Sequence, residues 1–165
     1  CKFSIWGSIG YDFIHFLSKN TKFSTFIYVG KLGTLFENIK PNKYIATGEQ
    51  SYVNGKIITW NNIFKNLDDK QVVVGKHVTC PSVLDETIDQ IDIYKYKGDF
   101  IDPEIGNMAV ACTELGKQFS YLHIISDNVA NHNVLENLSN ERKITILEKR
   151  KFLFEKIGMI IKENL

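Results

Sequence analysis

The sequence is poor in the features that mark metal, redox, nucleic-acid and membrane proteins. Its three cysteines, Cys1, Cys80 and Cys112, show no C-x-x-C spacing in 165 residues, so neither a zinc knuckle nor a dithiol pair is encoded. Free thiols used as small hydrophobes suit a reducing compartment, and a cytoplasmic location is expected. The four histidines, His15, His77, His123 and His132, are not grouped with one another or with carboxylates along the chain. No metal and no cofactor is expected. An excess of one charge is also missing: 20 basic against 19 acidic residues leave a net +1. A nucleic-acid partner, which needs a basic stripe, is not expected. Charges or glycines interrupt every apolar run well before bilayer length, so a membrane partner is not expected either. No repeat and no Pro-, Gly- or Ser-rich linker divides residues 1–165, which read as one domain. G-x-G-x-x-G is absent, which removes the usual dinucleotide fingerprint.

What is present suits a globular, soluble chain. Hydrophobic residues make up 44% and aromatics 12%, enough for a sizeable core and too many for a disordered chain. The abundance of Asn (14), Ile (21) and Lys (18) reads as the drift of a low-GC genome, so lysine numbers carry little functional weight. The chain opens at Cys1 without Met, on a strand-patterned segment, Phe3–Trp6. A domain truncated at its amino terminus is therefore expected.

Strand and helix patterns alternate from there, which predicts an α/β domain. Gly7-Ser8 opens a helix with Ile9, Phe13, Ile14, Phe16 and Leu17 on its apolar face; core packing is the expected use of that face, and an interface the alternative. Phe23–Val29 reads as a strand closed by Gly30, followed by a loop over Lys31–Asn42. Lys43–Thr47 is a further strand, and Asn54-Gly55 predicts a hairpin joining Gln50–Val53 to Lys56–Trp60. Val72–Val74 has the β-branched composition of a buried parallel strand. A helix is expected over Ser82–Ile91. Asp102, Pro103 and Glu104 form a helix start by cap, first-turn proline and macrodipole preference, and Gly116 marks the end. Phe119–Ser126 reads as a strand with Asp127 at its carboxyl end. A last helix is expected over Ser139–Asn164, with Ile144, Leu147, Ile157, Ile160 and Ile161 inward.

Ligands of open α/β sheets bind beyond the carboxyl ends of strands. Three segments are expected there: Gly30–Gly33, Asp102–Glu104 and Ser126-Asp127. Taken singly, each has a plainer reading: a turn, a helix cap and an Asx-turn.

Together they resemble the purine nucleoside phosphorylase/uridine phosphorylase superfamily. The run Gly98-Asp99-Phe100-Ile101-Asp102-Pro103-Glu104-Ile105-Gly106-Asn107-Met108-Ala109 is similar to its ribose-binding segment, V-D/E-M-E followed by small and apolar residues. Ile125-Ser126-Asp127 matches its I-S-D. Val29-Gly30-Lys31-Leu32-Gly33-Thr34-Leu35 and Ile39–Ile45 resemble its G-x-x-G-x-L and I-x-x-G-D-I-V stretches, and Val74–Thr79 sits where it places a strand beside the base. Among subfamilies the resemblance is closest to the methylthioadenosine/S-adenosylhomocysteine nucleosidases.

The resemblance implies a single three-layer domain with a mixed, mostly parallel central sheet flanked by helices. It implies cleavage of the N-glycosidic bond of a purine-type nucleoside, by hydrolysis or with inorganic phosphate as co-substrate. Glu104 would accept hydrogen bonds from the ribose 2′- and 3′-hydroxyls. Asp127 would be the acid that protonates the departing base, its pKa raised by burial. Ser126 would orient Asp127, and Gly30, Lys31 and Gly33 would face the ribose or its anionic partner. Pro103 would border the sugar and Val78 the base. The partner is a small-molecule nucleoside, and a homo-oligomer is implied.

Four departures from the pattern qualify this. Pro103 replaces the usual Met, and Val78 replaces an aromatic. His123 stands at a position usually held by Arg, where a buried, satisfied histidine is expected. Tyr28 replaces the Arg of phosphorylases, which favours water over phosphate as acceptor. They leave a second class open: a truncated or degenerate homologue that binds a nucleoside or a protein partner without catalysis.

Overall fold

In a computed structural model, residues 7–82, 87–131 and 143–165 are described. Helix α1 (Ile9–Asn20) is followed by β1 (Thr25–Thr34), β2 (Ile45–Thr47), β3 (Gln50–Val53), β4 (Lys56–Thr59), β5 (Val72–Val74) and β6 (His77–Thr79). Helix α2 (Ile88–Tyr94), β7 (Phe100–Asp102), α3 (Ile105–Glu114), β8 (Gln118–Asn128) and α4 (Ile144–Asn164) complete the order. The strands form one sheet in the order β4-β3-β6-β7-β1-β8-β2-β5. Its pairings are mixed: β1–β8, β2–β5, β3–β6 and β6–β7 are parallel, and β1–β7, β2–β8 and β3–β4 are antiparallel.

Side-chain alternation along the strands divides the core into two faces. Phe26 and Leu32 of β1 and Phe119, Tyr121 and Ile125 of β8 meet Ile14 of α1 and Ile105, Met108, Ala109 and Cys112 of α3. On the other face, Leu122 and Ile124 of β8 and Ile45 of β2 meet Leu153, Ile157 and Ile160 of α4. A third cluster joins Val78 of β6 and Ile101 of β7 to Ile91 of α2. Helices cover both faces, so the three-layer α/β expectation holds.

Several boundaries move. The strand expected at Phe3–Trp6 lies outside the described residues, as do Val83–Glu86 and the residues of the last helix before Lys143. The helix expected from Ser82 is described only over Ile88–Tyr94. Val72–Val74 is a strand parallel to β2, but it is the sheet edge and only partly buried. Gly30–Gly33 is no loop: β1 runs through it to Thr34, paired along its length with β8. Phe16 is exposed, and so are Ile144 (74%) and Leu147 (52%), which were expected inward; burial on α4 begins at Arg150.

Candidate active site

Asp102 ends β7 and organises the start of α3. Its Oδ1 accepts the backbone N–H groups of Glu104 (2.9 Å) and Ile105 (2.8 Å). These donors lie at the entry to the helix, so Asp102 braces the start of α3. The helix itself begins at Ile105 with Glu104 at the N-cap position, two residues later than the sequence predicts, and Pro103 precedes it. At the other end, Gly116 adopts φ +62, a conformation open to glycine without strain.

The same buried carboxyl faces two histidines that are far apart in sequence. Oδ1 lies 3.2 Å from His77 Nε2, and Oδ2 lies 3.7 Å from His123 Nε2. His123 belongs to β8, Asp102 to β7, and β1 runs between them. The imidazole reaches across because residue 30 has no side chain: a Cβ there would stand 2.8 Å from His123 Nε2. Tyr28 packs edge-on against His123 with ring centroids 4.5 Å apart, and Tyr121 does so at 5.5 Å. His123 is buried as expected but not satisfied: its Nε2 has no hydrogen-bond partner among the described residues and stands at ion-pair separation from Asp102. On the far side, Ser51 Oγ stands 2.9 Å from His77 Nδ1 and 3.0 Å from Thr79 Oγ1, which accepts the Gly106 N–H at 2.9 Å.

The electrostatics follow from burial and these neighbours. Burial alone would push Asp102 up, but the His77 ring, His123 and the Ile105 N–H together outweigh it and hold the carboxyl below its ordinary value. Glu104 goes the other way. Burial, then the Asp102 charge, push it up to about 8, against the Gly7 N–H that bonds its Oε1 at 3.1 Å. Burial lowers His123 to about 4 despite Asp102. Tyr28 is raised by burial, then by Asp102 and Glu104.

Ser126 and Asp127 owe their placement to a bulge. Leu32 pairs with Ile125, but Gly33 pairs with Asp127, so Ser126 is an extra residue on β8. Strict alternation would put Asp127 on the face of His123 and Ile125. The bulge turns it instead toward Gly33, where a Cβ would lie 3.0 Å from Asp127 Oδ2 and 3.2 Å from Ile101 Cγ2. Ser126 Oγ donates to the Leu32 carbonyl (3.2 Å) and to Asp127 Oδ1. Register carries the row onward: Asp127 pairs with Gly33, Gly33 with Ile101, and Ile101 with Val78. Val78 and Asp127 thus end one row across four strands, with Val78 fully buried.

The predicted residues therefore fall into groups around β1. Glu104 and Pro103 lie at the α3 start beside Gly7; Gly30 underlies His123; Gly33, Asp127 and Val78 share the row across the sheet, with Ser126 the bulge residue beside Asp127. Lys31 is separate and lines a cleft with Leu147, Arg150, Lys151, Phe154 and Glu155 of α4. Sequence reasoning missed Ser51, His77 and the joining of His77 and His123 by Asp102, because only strand pairing brings them together. Among the described residues, no group of three or more His, Cys, Asp or Glu side chains is placed to hold a metal ion, and no helix is long and apolar enough to cross a membrane.

No protein-family model and no curated protein sequence matches the chain. Solved structures do. The 5′-methylthioadenosine/S-adenosylhomocysteine nucleosidase of Helicobacter pylori, bound to butyl-thio-DADMe-Immucillin-A, superposes with a TM-score of 0.74 at 13% identity, over 95% of this chain and 78% of that one. A futalosine hydrolase mutant of Helicobacter pylori gives 0.72 at 12% identity, over 94% and 78%. The S-adenosylhomocysteine nucleosidase of Streptococcus pyogenes, in complex with 5-methylthiotubericidin, gives 0.60 at 16% identity, over 87% and 74%. The chain spans 66% to 78% of the length of the solved nucleosidases and hydrolase compared with it. It has the α/β nucleoside phosphorylase-like fold of the methylthioadenosine/S-adenosylhomocysteine nucleosidases and futalosine hydrolase.

Proposed function

We propose that the chain hydrolyses the N-glycosidic bond of a purine-type nucleoside such as methylthioadenosine or S-adenosylhomocysteine. The observation that carries this reading is the β8 bulge, which brings the Ser126–Asp127 pair against Gly33 in a fold shared with enzymes of that activity. Bond cleavage develops positive charge on the ribose and negative charge on the base. A carboxyl hydrogen-bonded to its neighbouring serine is suited to give the base a proton. Glu104, buried at the α3 start, is suited to accept the ribose hydroxyls, and its proton leaves as those donors replace it.

Water is the acceptor in this reading. Tyr28 stands where a phosphorylase-like pattern has Arg, and its ring is packed on His123, so it offers phosphate no positive charge. We also expect a homo-oligomer in the cytoplasm. An apolar cleft of ≈ 470 Å³ between α1 and β1, lined by Phe13, Leu17, Phe23 and Tyr28, supports association.

The test is incubation with methylthioadenosine, adenosine, inosine and uridine, with and without phosphate. Free adenine from methylthioadenosine without phosphate is the expected result; a strict phosphate requirement would make the chain a phosphorylase. Asp127→Asn should lower kcat by about 10²- to 10⁴-fold, and Glu104→Ala should raise KM. If no base is released but calorimetry finds nucleoside binding that Glu104→Ala abolishes, the chain is a binding homologue without catalysis.

A further inference from the structure

We propose that His77 is a positioning residue: through Asp102 it holds the first turn of α3, and with it the Glu104 carboxyl, in register for the sugar hydroxyls. The inference rests on the reading of Glu104 as the ribose anchor and assigns that anchor a support outside the site.

The support is a continuous buried chain of polar groups. One proton assignment satisfies its hydroxyls, with Gly106 N–H to Thr79 Oγ1, Thr79 O–H to Ser51 Oγ and Ser51 O–H to His77 Nδ1. It leaves the His77 Nε2–H facing Asp102 Oδ1 at 3.2 Å, an ion-pair contact and not an aligned hydrogen bond. Asp102 passes the constraint on through the two backbone N–H groups it accepts, one of them Glu104's own. Ser51 and His77 are fully buried, and Asp102 is nearly so. A buried imidazole costs free energy unless it is hydrogen-bonded, and packing alone would be met by an aliphatic residue such as the adjacent Val78.

The backbone is shaped to admit this chain. A Cβ on residue 106 would stand 2.2 Å from Thr79 Oγ1 and 2.8 Å from Ser51 Oγ. Only glycine lets the first turn of α3 come down onto the hydroxyls. The titratable groups facing Asp102 are His77 on β6, His123 and Tyr121 on β8, Tyr28 on β1, and Glu104 itself. The turn before α1 contributes the Gly7 N–H to Glu104, while Tyr11 and His15 of α1 engage Glu114 at the far end of α3.

The test compares His77→Leu with His77→Gln, which keeps a donor near the Nε2 position, and with Ser51→Ala. In the leucine variant KM for methylthioadenosine should rise about tenfold, a loss of about 1.4 kcal/mol in affinity, with kcat within about twofold. The glutamine variant should stay within about threefold of the parent chain. A readout independent of turnover is the ¹³C titration of the Glu104 carboxyl, assigned with Glu104→Gln, in the ligand-free chain. Without His77 the buried Asp102 carboxyl loses the neighbour that favours its charge, so the part of the Glu104 shift owed to that charge weakens and the Glu104 midpoint should fall. Ser51→Ala should move it the same way by less, and it decides the matter if His77→Leu does not fold. An unchanged midpoint overturns the proposal, as does an unchanged KM beside a lowered Tm. If the parent chain releases no base, the proposed function fails while the titration still decides this inference.

Discussion

A Cβ at position 30 would stand 2.8 Å from His123 Nε2, in the middle of a paired strand. Gly30→Ala should therefore push the imidazole off Asp102 and destabilise the chain by about 1–3 kcal/mol, read as a lowered urea midpoint. Glycine at 30 reads from sequence as a turn, because the ring that requires it lies 93 residues on, across a strand pair. Glu104 and His123 carry a further consequence at this scale. Glu104 is raised from 4.5 to about 8 on folding, so between those values the folded chain binds more protons than the unfolded one, and stability falls as pH rises. His123 is lowered from 6.5 to about 4, so its contribution rises with pH between those values. The two oppose each other up to pH 6.5, and above it the Glu104 slope stands alone of the pair. Tm should decline from pH 6.5 to about 8, and Glu104→Gln should flatten that decline.

At the scale of elements, the local chemistry of the chain is enough to place those whose signals are local. Asp102 accepts the N–H groups at the entry to α3, and Gly116 ends the helix, as their residue types favour. Asn54 (φ 47) and Gly55 (φ 83) take the left-handed conformations of a tight hairpin turn between β3 and β4. Helix α4 shows where periodicity stops helping. Ile144 and Leu147 keep a helical apolar spacing, yet α4 meets the sheet only from Arg150 onward, and Leu153, Ile157 and Ile160 carry the packing. Period gives the face of a helix but not the length over which something lies beneath it. Leu153→Ala should cost about 2–5 kcal/mol, whereas Leu147→Ala should change stability by no more than about 0.5 kcal/mol. Urea unfolding of both variants checks the contrast, and equal losses would put the inward face of α4 where the sequence places it.

Across the whole molecule, β8 is where the two faces of the sheet communicate. Its pleat sends Tyr121 and His123 toward α3 and Leu122 and Ile124 toward α4, until the bulge at Ser126 reverses the alternation for Asp127. Residue types along β8 do reveal Ser126 and Asp127 as candidates, but one extra residue in a register is invisible without the partner strand. The bulge is braced from the α4 side. Arg150 Nε donates to Asn42 Oδ1 at 2.6 Å; the Asn42 backbone N–H donates to the Ile125 carbonyl at 2.7 Å, and Asn42 Nδ2 donates to the Ser126 carbonyl at 3.4 Å. Asn42 holds φ 58 to do so, a conformation that asparagine tolerates better than most residues. Arg150 is buried, so its guanidinium has been taken out of water for this contact. Arg150→Met keeps much of the aliphatic volume and removes the donor. It should cost about 1–3 kcal/mol by leaving a buried Asn42 acceptor without that bond. If Asp127 is the acid of the proposed reaction, loosening the bulge that carries it should slow base release in kcat while KM for methylthioadenosine stays within about twofold. A variant that loses stability but keeps kcat would show that α4 braces the fold and not Asp127, whereas a fall in kcat alone ties the second face of the sheet to the proposed role of Asp127.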